Sequence, residues 1–526
     1  MQLLEASGEW RDGFLDQAIP PGAHRVEVVV QLALFPADAQ FFVRRRDPRM
    51  LLAYLRAFGP TQVLRKVRSR QSEVTRNDAW LSVGVGWAEL EGTRTAVAFV
   101  ASSGPRGVER INVARPLLRP LDVGSAEGPP RHLVAPSPAA VHRVLGAAAV
   151  ELEELVGWQP EEGTVPSLTD DTWAAVAKLA AQPSPGWVEA PPRLPATPVR
   201  ERAEGLPVVD RRRSYHVFGY GQYAKVNATA NLDRRLVLAG IHEINPAQLG
   251  PASGEPGPAL DTSPMPRPDE DIVNAVVAGY HHTHVPTAVA LIEQGARHVI
   301  VEKPIATTAE QVDALLDVLD RFPAARVHCA YQRSHSPFNG HLRADLGTGP
   351  VSMAATVYEV PLPPRHWYRW PVVGNAVVSN GCHWIDYFLH VNGYPETTAL
   401  HVMVLATQTV LTLELHNGAS GTISLRHQGS PRLGVRDLIQ FWSDEATATI
   451  EDNSRYRSER GYRVLRSVSV PRARATEEMY REFARRIELD LPGDDPRAIR
   501  VSARAVVELA RLVDEARAAR ADVDPR

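Results

Sequence analysis

Residues 214–232 read SYHVFGYGQYAKVNATANL, and residues 234–244 follow with RRLVLAGIHEI. A short apolar run, a glycine-rich turn, a helix-length segment and a second apolar run, in that order, form one strand–helix–strand unit of a parallel sheet. Gly219, Gly221 and Ala224 have G-x-G-x-x-A spacing. The glycines permit a tight turn and let backbone N–H groups approach a pyrophosphate closely. The turn residues Gly219, Gly221, Gln222, Tyr223 and Ala224 are therefore the first cofactor-binding candidates. Glu243 lies 24 positions after Gly219, at the end of the next strand. A carboxylate there accepts hydrogen bonds from the adenosine ribose hydroxyls and repels a 2′-phosphate, which favours NAD over NADP. Arg234 and Arg235 nearby pull the other way. The competing reading is an ordinary strand–helix turn with a surface glutamate.

Further units continue the pattern: IVNAVVAGY (272–280), HVPTAVALIEQGA (284–296) and HVIVEKP (298–304). Loops at the carboxyl ends of such strands are where ligands bind. His281, His282 and His284 crowd one of these loops and are expected to border the nicotinamide. No cysteine, HExxH pattern or carboxylate cluster completes a metal coordination set around them. Glu302, Lys303 and Pro304 follow directly on an apolar run, placing the lysine at the mouth of the sheet, where it can orient a hydroxyl and relay its proton. The stretch SNGCHWIDYF (379–388) carries His383 and Asp386 at i and i+3. Alone, it describes a histidine held by an aspartate on one helical face.

From about 351 to 470 the chain alternates apolar and polar residues in strand-length runs, as in SMAATVYEV and QTVLTLELH, which predicts an antiparallel sheet. Helical periodicity closes the chain. Before the glycine turn lies a proline-rich interval, expected as a linker over 182–213. It separates an N-terminal α/β or α+β domain (1–181) from a dinucleotide-binding domain (214–335) and a substrate and oligomerisation domain (336–526). The basic segments Arg44 to Arg46 and VLRKVRSR (63–70) read as solvated faces, because acidic residues intersperse them and no aromatic stacking pattern accompanies them.

The chain has 526 residues, 44% hydrophobic and 23% charged, with a formal net charge of −3. This is globular composition without a field that would draw it to nucleic acid or an anionic membrane. The only two cysteines, Cys329 and Cys382, exclude a disulfide framework of more than one bridge and fit a reducing compartment. With no basic n-region followed by an apolar run and no 18-residue apolar stretch, a cytoplasmic protein is expected.

FGYGQYA, HHTHVP, EKP at 302–304, YQRSHSP at 331–337 and GCHWID at 381–386 occur in an order that resembles the glucose-fructose oxidoreductase and inositol dehydrogenase (Gfo/Idh/MocA) family over about 214–520. The resemblance implies a Rossmann domain followed by an α+β domain with an open antiparallel sheet, which carries the substrate site and usually mediates oligomers. It also implies an active site between the two. It implies catalytic roles for Lys303, which in the family contacts substrate and nicotinamide ribose, and for His383, the acid-base group. Glu302 is placed with the cofactor contacts, beside His281 and His284. On the substrate side it implies Arg333, to which Tyr368 of the aromatic RHWYRWP loop (365–371), Asn380 and Asp386 are added. One departure stands out: Ser379 occupies the position, four residues before the histidine, where many members have an aspartate. The expected activity is NAD-linked, with NADP possible, and exchanges hydride with a secondary alcohol or ketone of a sugar, cyclitol or nucleotide-linked sugar. A small molecule is the expected partner, and no metal is required. The alternatives are an NADPH-dependent imine or keto reductase and a dinucleotide-sensing scaffold.

Overall fold

The computed structural model describes residues 211–523 except 233–234, 244–257, 262–264, 269, 361–367, 369–372, 429–433 and 445. Of the first 210 residues it describes 23–36, 55–56, 58–65, 80–90, 93–103, 112–116, 131–134, 143–151, 169–181 and 188–190. Arg44 to Arg46 lie outside the described residues.

The first part carries a six-stranded sheet in the order β4-β3-β2-β1-β5-β6. Its strands are Ala23–Pro36 (β1), Trp80–Leu90 (β2), Thr93–Ser103 (β3), Asn112–Pro116 (β4), Arg131–Val134 (β5) and Val188–Ala190 (β6). All pairs are antiparallel except β1 with β5. Helix Asp170–Ala181 packs on β1, β2 and β3. The three residues of β6 fall inside the stretch expected as linker. Prolines flank that run at 183, 185, 191 and 192, and a proline-bounded strand is tolerated at a sheet edge, where β6 lies.

The second sheet has the strands Ser214–Phe218 (β7), Val237–His242 (β8), Ala259–Asp261 (β9), Asn274–Val277 (β10), His298–Glu302 (β11) and Arg326–Ala330 (β12). They run β12-β11-β10-β7-β8-β9, every pair parallel. Read from the other edge this is 3-2-1-4-5-6, the doubly wound dinucleotide order. Every residue of β10 and β11 is buried, as a parallel sheet covered on both faces requires.

The third sheet has eight strands in the order β14-β15-β16-β13-β17-β18-β19-β20. These are Ser352–Tyr358 (β13), Thr397–Val404 (β14), Gln408–Leu415 (β15), Ser420–Arg426 (β16), Arg436–Trp442 (β17), Ala446–Glu451 (β18), Arg455–Arg460 (β19) and Arg463–Ser469 (β20). The antiparallel expectation holds for every pair but one: β13 lies parallel to β16. The chain between β13 and β14 includes the helix Cys382–Val391, which covers the buried face of the sheet through contacts with β13 and β16. Its residues Trp384, Ile385, Tyr387, Phe388 and Leu389 are essentially inaccessible and join the sheet to the Rossmann helices in one continuous core. At roughly 1.5–3 kcal/mol per fully buried large apolar side chain, this face of the helix is its anchor. His383 sits at its start because the core fixes the rest of its turn. Near the C-terminus, helix Arg474–Glu488 packs Met479, Tyr480 and Phe483 against the opposite face of the Rossmann sheet. Among the described residues no helix is long and apolar enough to cross a membrane.

Candidate active site

The turn after β7 takes the shape its glycines allow. Gly219 has φ +89°, a conformation that strains any other residue. A Cβ there would fall 2.5 Å from the backbone of Gly279. Gly221 has open space around it instead, leaving its surroundings clear for a phosphate. The helix that follows is π-wound over Ala224–Thr229. Glu243 is buried, and its Oε2 accepts the backbone N–H of Tyr220 at 2.7 Å. It therefore braces the glycine turn at the end of β8, the position where a ribose-binding carboxylate belongs. Arg235 pairs with Glu488 at 3.0 Å, and Arg234 lies outside the described residues. The turn fits a dinucleotide.

The histidine loop is fixed by contacts within the protein. His284 is buried, with Nδ1 2.8 Å from the carbonyl of Pro304 and Nε2 3.1 Å from that of Gly279. It ties the loop after β10 to the turn after β11. His281 is also buried and meets the Tyr368 ring at a tilt, 4.8 Å between ring centres; Tyr368 is the described residue of the RHWYRWP loop. Burial and then His284 hold the His282 imidazole down at about 4. The one group of metal-ligating side chains brought together among the described residues is elsewhere: His216, His242 and Glu270. There the two rings pair with each other at 3.1 Å.

Glu302, Lys303 and Pro304 end β11 with a cis Lys303–Pro304 bond. Glu302 accepts the Tyr480 hydroxyl. Burial pushes its carboxyl up to about 7, against the opposing hydrogen bond and the Lys303 charge. Lys303 Nζ donates to the carbonyl of Ser379 at 2.9 Å and lies 5.6 Å from the Tyr368 ring centre. Burial lowers its pKa, but Tyr368, Cys382 and Glu302 together outweigh burial, so the ammonium is held charged.

His383 lies four residues after the carbonyl that holds Lys303. Its Nδ1 is buried without a hydrogen-bond partner. Burial first, then the charges of Lys303 and Arg333, hold its imidazole well below the ordinary value. It is a neutral base beside a charged lysine. The i, i+3 partner suggested by the sequence is engaged elsewhere. Asp386 is 1% exposed and accepts hydroxyls from Ser334 at 2.6 Å, Ser502 at 2.9 Å and Tyr394 at 3.2 Å. Burial brings its carboxyl up to about 7. Surrounded this way, Asp386 ties together three chain segments rather than facing a ligand.

A cavity of about 400 Å³ lies against His383 and draws its walls from distant parts of the chain. Of the residues expected in a site, it unites Gln222, Tyr223, Arg333, Asn380 and His383. Asn380 donates to Glu359 at 3.1 Å. Arg333 is buried, pairs through Nη2 with Asp437 and lies over the Trp384 ring at 4.7 Å, while its Nε and Nη1 are buried without partners. Glu243, His281, His284, Glu302, Lys303 and Asp386 are not on the wall of this cavity. Most of its other lining residues were not foreseen, among them Phe58 and Gln62 of the N-terminal part and Arg472 and Thr476 near the C-terminus. Tyr480, which meets Glu302 from 178 positions away, was also missed. No local signal in the sequence marks such a contact.

The structure thus joins a doubly wound dinucleotide fold to a sheet domain, with a neutral histidine and a charged lysine near their junction. Residues 213–327 match the family model GFO_IDH_MocA, described as the oxidoreductase family with an NAD-binding Rossmann fold. The match runs from β7 into β12 and so covers the doubly wound sheet. Among solved structures, a dehydrogenase from Chromobacterium violaceum is similar with a TM-score of 0.50 at 13% identity, over 59% of this chain and 98% of its own. The UDP-N-acetylglucosamine 3-dehydrogenase GnnA from Acidithiobacillus ferrooxidans aligns with a TM-score of 0.49 at 16% identity, over 58% of this chain and 98% of its own. A levoglucosan dehydrogenase, solved with NADH and levoglucosan, aligns with a TM-score of 0.48 at 18% identity, over 57% and 97%. No curated protein matches the chain.

Proposed function

We propose that the protein is an NAD-dependent dehydrogenase or reductase acting on a secondary alcohol or ketone of a sugar, cyclitol or nucleotide-linked sugar. The observation that carries this reading is the arrangement of Lys303 and His383. The ammonium is anchored at 2.9 Å on the carbonyl of Ser379, one helical turn before the imidazole. The bound dinucleotide supplies or accepts the hydride. The turn at Gly219 and Gly221 holds the pyrophosphate against backbone N–H groups, and Glu243 braces that turn and faces the adenosine ribose. In oxidation, neutral His383 takes the hydroxyl proton while the Lys303 ammonium donates a hydrogen bond to the same oxygen and stabilises the charge that develops there. Arg333 and Asn380, on the cavity wall, orient the rest of the substrate.

Ser379 in place of an aspartate leaves His383 without a carboxylate to stabilise its protonated form. This favours a second reading, reduction of a ketone or imine, in which the charged Lys303 is the proton donor. One assay tests both. Absorbance of the reduced nicotinamide is followed with NAD and NADP, in both directions, over a panel of free sugars, inositols, sugar phosphates, UDP-sugars and their keto forms, together with cyclic imines. Turnover of a polyol or its ketone with NAD preferred supports the first reading. Turnover of imines alone, with NADPH preferred, supports the second and removes the role given to Glu243. An absence of hydride exchange with every panel member removes both.

A further inference from the structure

The N-terminal part of the chain reaches the catalytic cleft. Residues 55–56, 58 and 60–65 are helical, interrupted at Gly59. Gly59 has φ +79°, its N–H bonds the Leu55 carbonyl at 3.0 Å, and its own carbonyl receives Val63 N–H at 3.2 Å. The sequence explains the break: a glycine in the left-handed conformation ends one helical segment, and Pro60 opens the next with its φ already set. The break leaves Phe58 and Gln62 on one wall of the cavity that also holds His383, Gln222 and Tyr223.

These segments are tied in place. Gln62 Nε2 donates to Asn227 Oδ1 at 2.7 Å. Arg65 reaches the Asn231 side chain and the Ala230 carbonyl, both at 3.3 Å, so the segment rests on the helix that follows the glycine turn. Arg472, just ahead of helix Arg474–Glu488, lies 5.3 Å from the Phe58 ring centre. Gln62 is 5% exposed, yet its Oε1 is buried with no partner. An unsatisfied buried acceptor costs roughly 1–3 kcal/mol. The cost is recovered when a ligand in the cavity donates a hydrogen bond. Arg333 Nε and Nη1, in the same cavity, are likewise unpartnered and buried.

We propose that the 55–65 segment is the third wall of the catalytic cleft and that Phe58 and Gln62 are substrate-specificity residues. Gln62 Oε1 accepts a hydroxyl of a polyhydroxylated ligand, and the Phe58 ring packs on the ligand's apolar face. The class of ligand rests on the activity proposed above; the placement of the wall does not. On this inference the N-terminal domain is part of the enzyme's selectivity and not a separable appendage.

Two measurements on the full chain test it. In the first, Phe58→Cys, Gln62→Cys and Leu64→Cys are each treated with a small charged methanethiosulfonate, with and without saturating NADH. The wild type, whose two cysteines are buried, supplies the background. Leu64 is 50% exposed and serves as the control outside the cleft. Dinucleotide should slow modification at positions 58 and 62 at least tenfold and leave position 64 unchanged. Equal rates with and without NADH at 58 and 62 would overturn the wall. In the second, Phe58→Ala and Gln62→Ala are assayed on the best panel substrate. KM should rise about tenfold or more while kcat stays within a few-fold, the sign of lost uniform binding. If NADH protects both thiols but neither substitution changes KM, the specificity role is refuted and the proposed activity stands. If the wild type turns over no panel member, the proposed activity fails and the thiol measurement alone decides the wall.

Discussion

Replacing Glu302 with glutamine should stabilise the protein at alkaline pH and do little at acid pH. Glu302 is 4% exposed, and burial raises its carboxyl from the ordinary 4.5 to about 7. A group whose pKa is raised on folding adds stability that is fully present below its unfolded value and is lost as pH climbs through its folded value. The window here runs from about 4.5 to about 7. At about 1.36 kcal/mol for each pH unit between the two values, ionised Glu302 costs the fold roughly 3 kcal/mol above pH 8. Glutamine keeps the carbonyl oxygen that accepts the Tyr480 hydroxyl and has no charge to bury. Asp386 is raised in the same direction, but it is common to both proteins and drops out of the comparison. Protein freed of dinucleotide would be melted at pH 4.5 and pH 8.5. The variant should melt several degrees above wild type at pH 8.5, and the margin should nearly vanish at pH 4.5. A margin that is the same at both pH values, or a wild type that melts higher at pH 8.5, would refute the claim that Glu302 is a buried carboxyl held in its neutral form.

Three other perturbations read the site directly. Lys303→Ala and His383→Ala should each lower kcat by roughly 10²- to 10⁴-fold while NADH affinity by fluorescence titration changes little, and the double variant should lose far less than the product of the two, as groups serving one step do. Ser379→Asp places a carboxylate near His383, which raises its pKa. The acid limb of the oxidation profile in kcat/KM should then move to higher pH, since the step needs the neutral ring. Gly219→Ala puts a Cβ 2.5 Å from the Gly279 backbone at φ +89°, so dinucleotide binding should fall at least tenfold, with a lower melting temperature that saturating NADH restores less fully than in wild type.

The parts of this architecture that could be read from the sequence are those whose determinants are contiguous. Gly219 and Gly221 announce a turn because the conformation they permit is a property of those few residues. Likewise, the buried runs of β10 and β11 announce a parallel sheet because both faces of each strand are apolar. Lys303 was legible for the same reason, being fixed at the end of such a run. The roles of the polar residues were harder, because a polar side chain's role depends on its partner. The place of His284 in the loop is legible, but that its ring nitrogens meet the carbonyls of Gly279 and Pro304 is not. Asp386 has the right spacing to hold His383. Three hydroxyls compete for it, and those of Ser334 and Ser502 arrive from 52 and 116 positions away, which no periodicity encodes.

The same argument accounts for Phe58 and Gln62. In sequence, AFGPTQV marks only a helix break, and the stretch up to 70 carries enough basic residues to look like a solvated face. What gives Gln62 its role is a single hydrogen bond to Asn227, 165 positions on, and an acceptor left over once that bond is made. Glutamine offers both a donor and an acceptor at its tip, so it can be fastened to the Rossmann helix with one and present the other to a ligand. An alanine there would lose the fastening and the recognition together, but a glutamate would keep an acceptor and lose the donor to Asn227. Comparing Gln62→Glu with Gln62→Ala therefore separates the two functions. If fastening matters most, both substitutions, made in the Phe58→Cys background, speed thiol modification at position 58 and proteolysis of the segment. If recognition matters most, Gln62→Glu keeps the KM of the wild type for a hydroxyl-bearing substrate while Gln62→Ala does not.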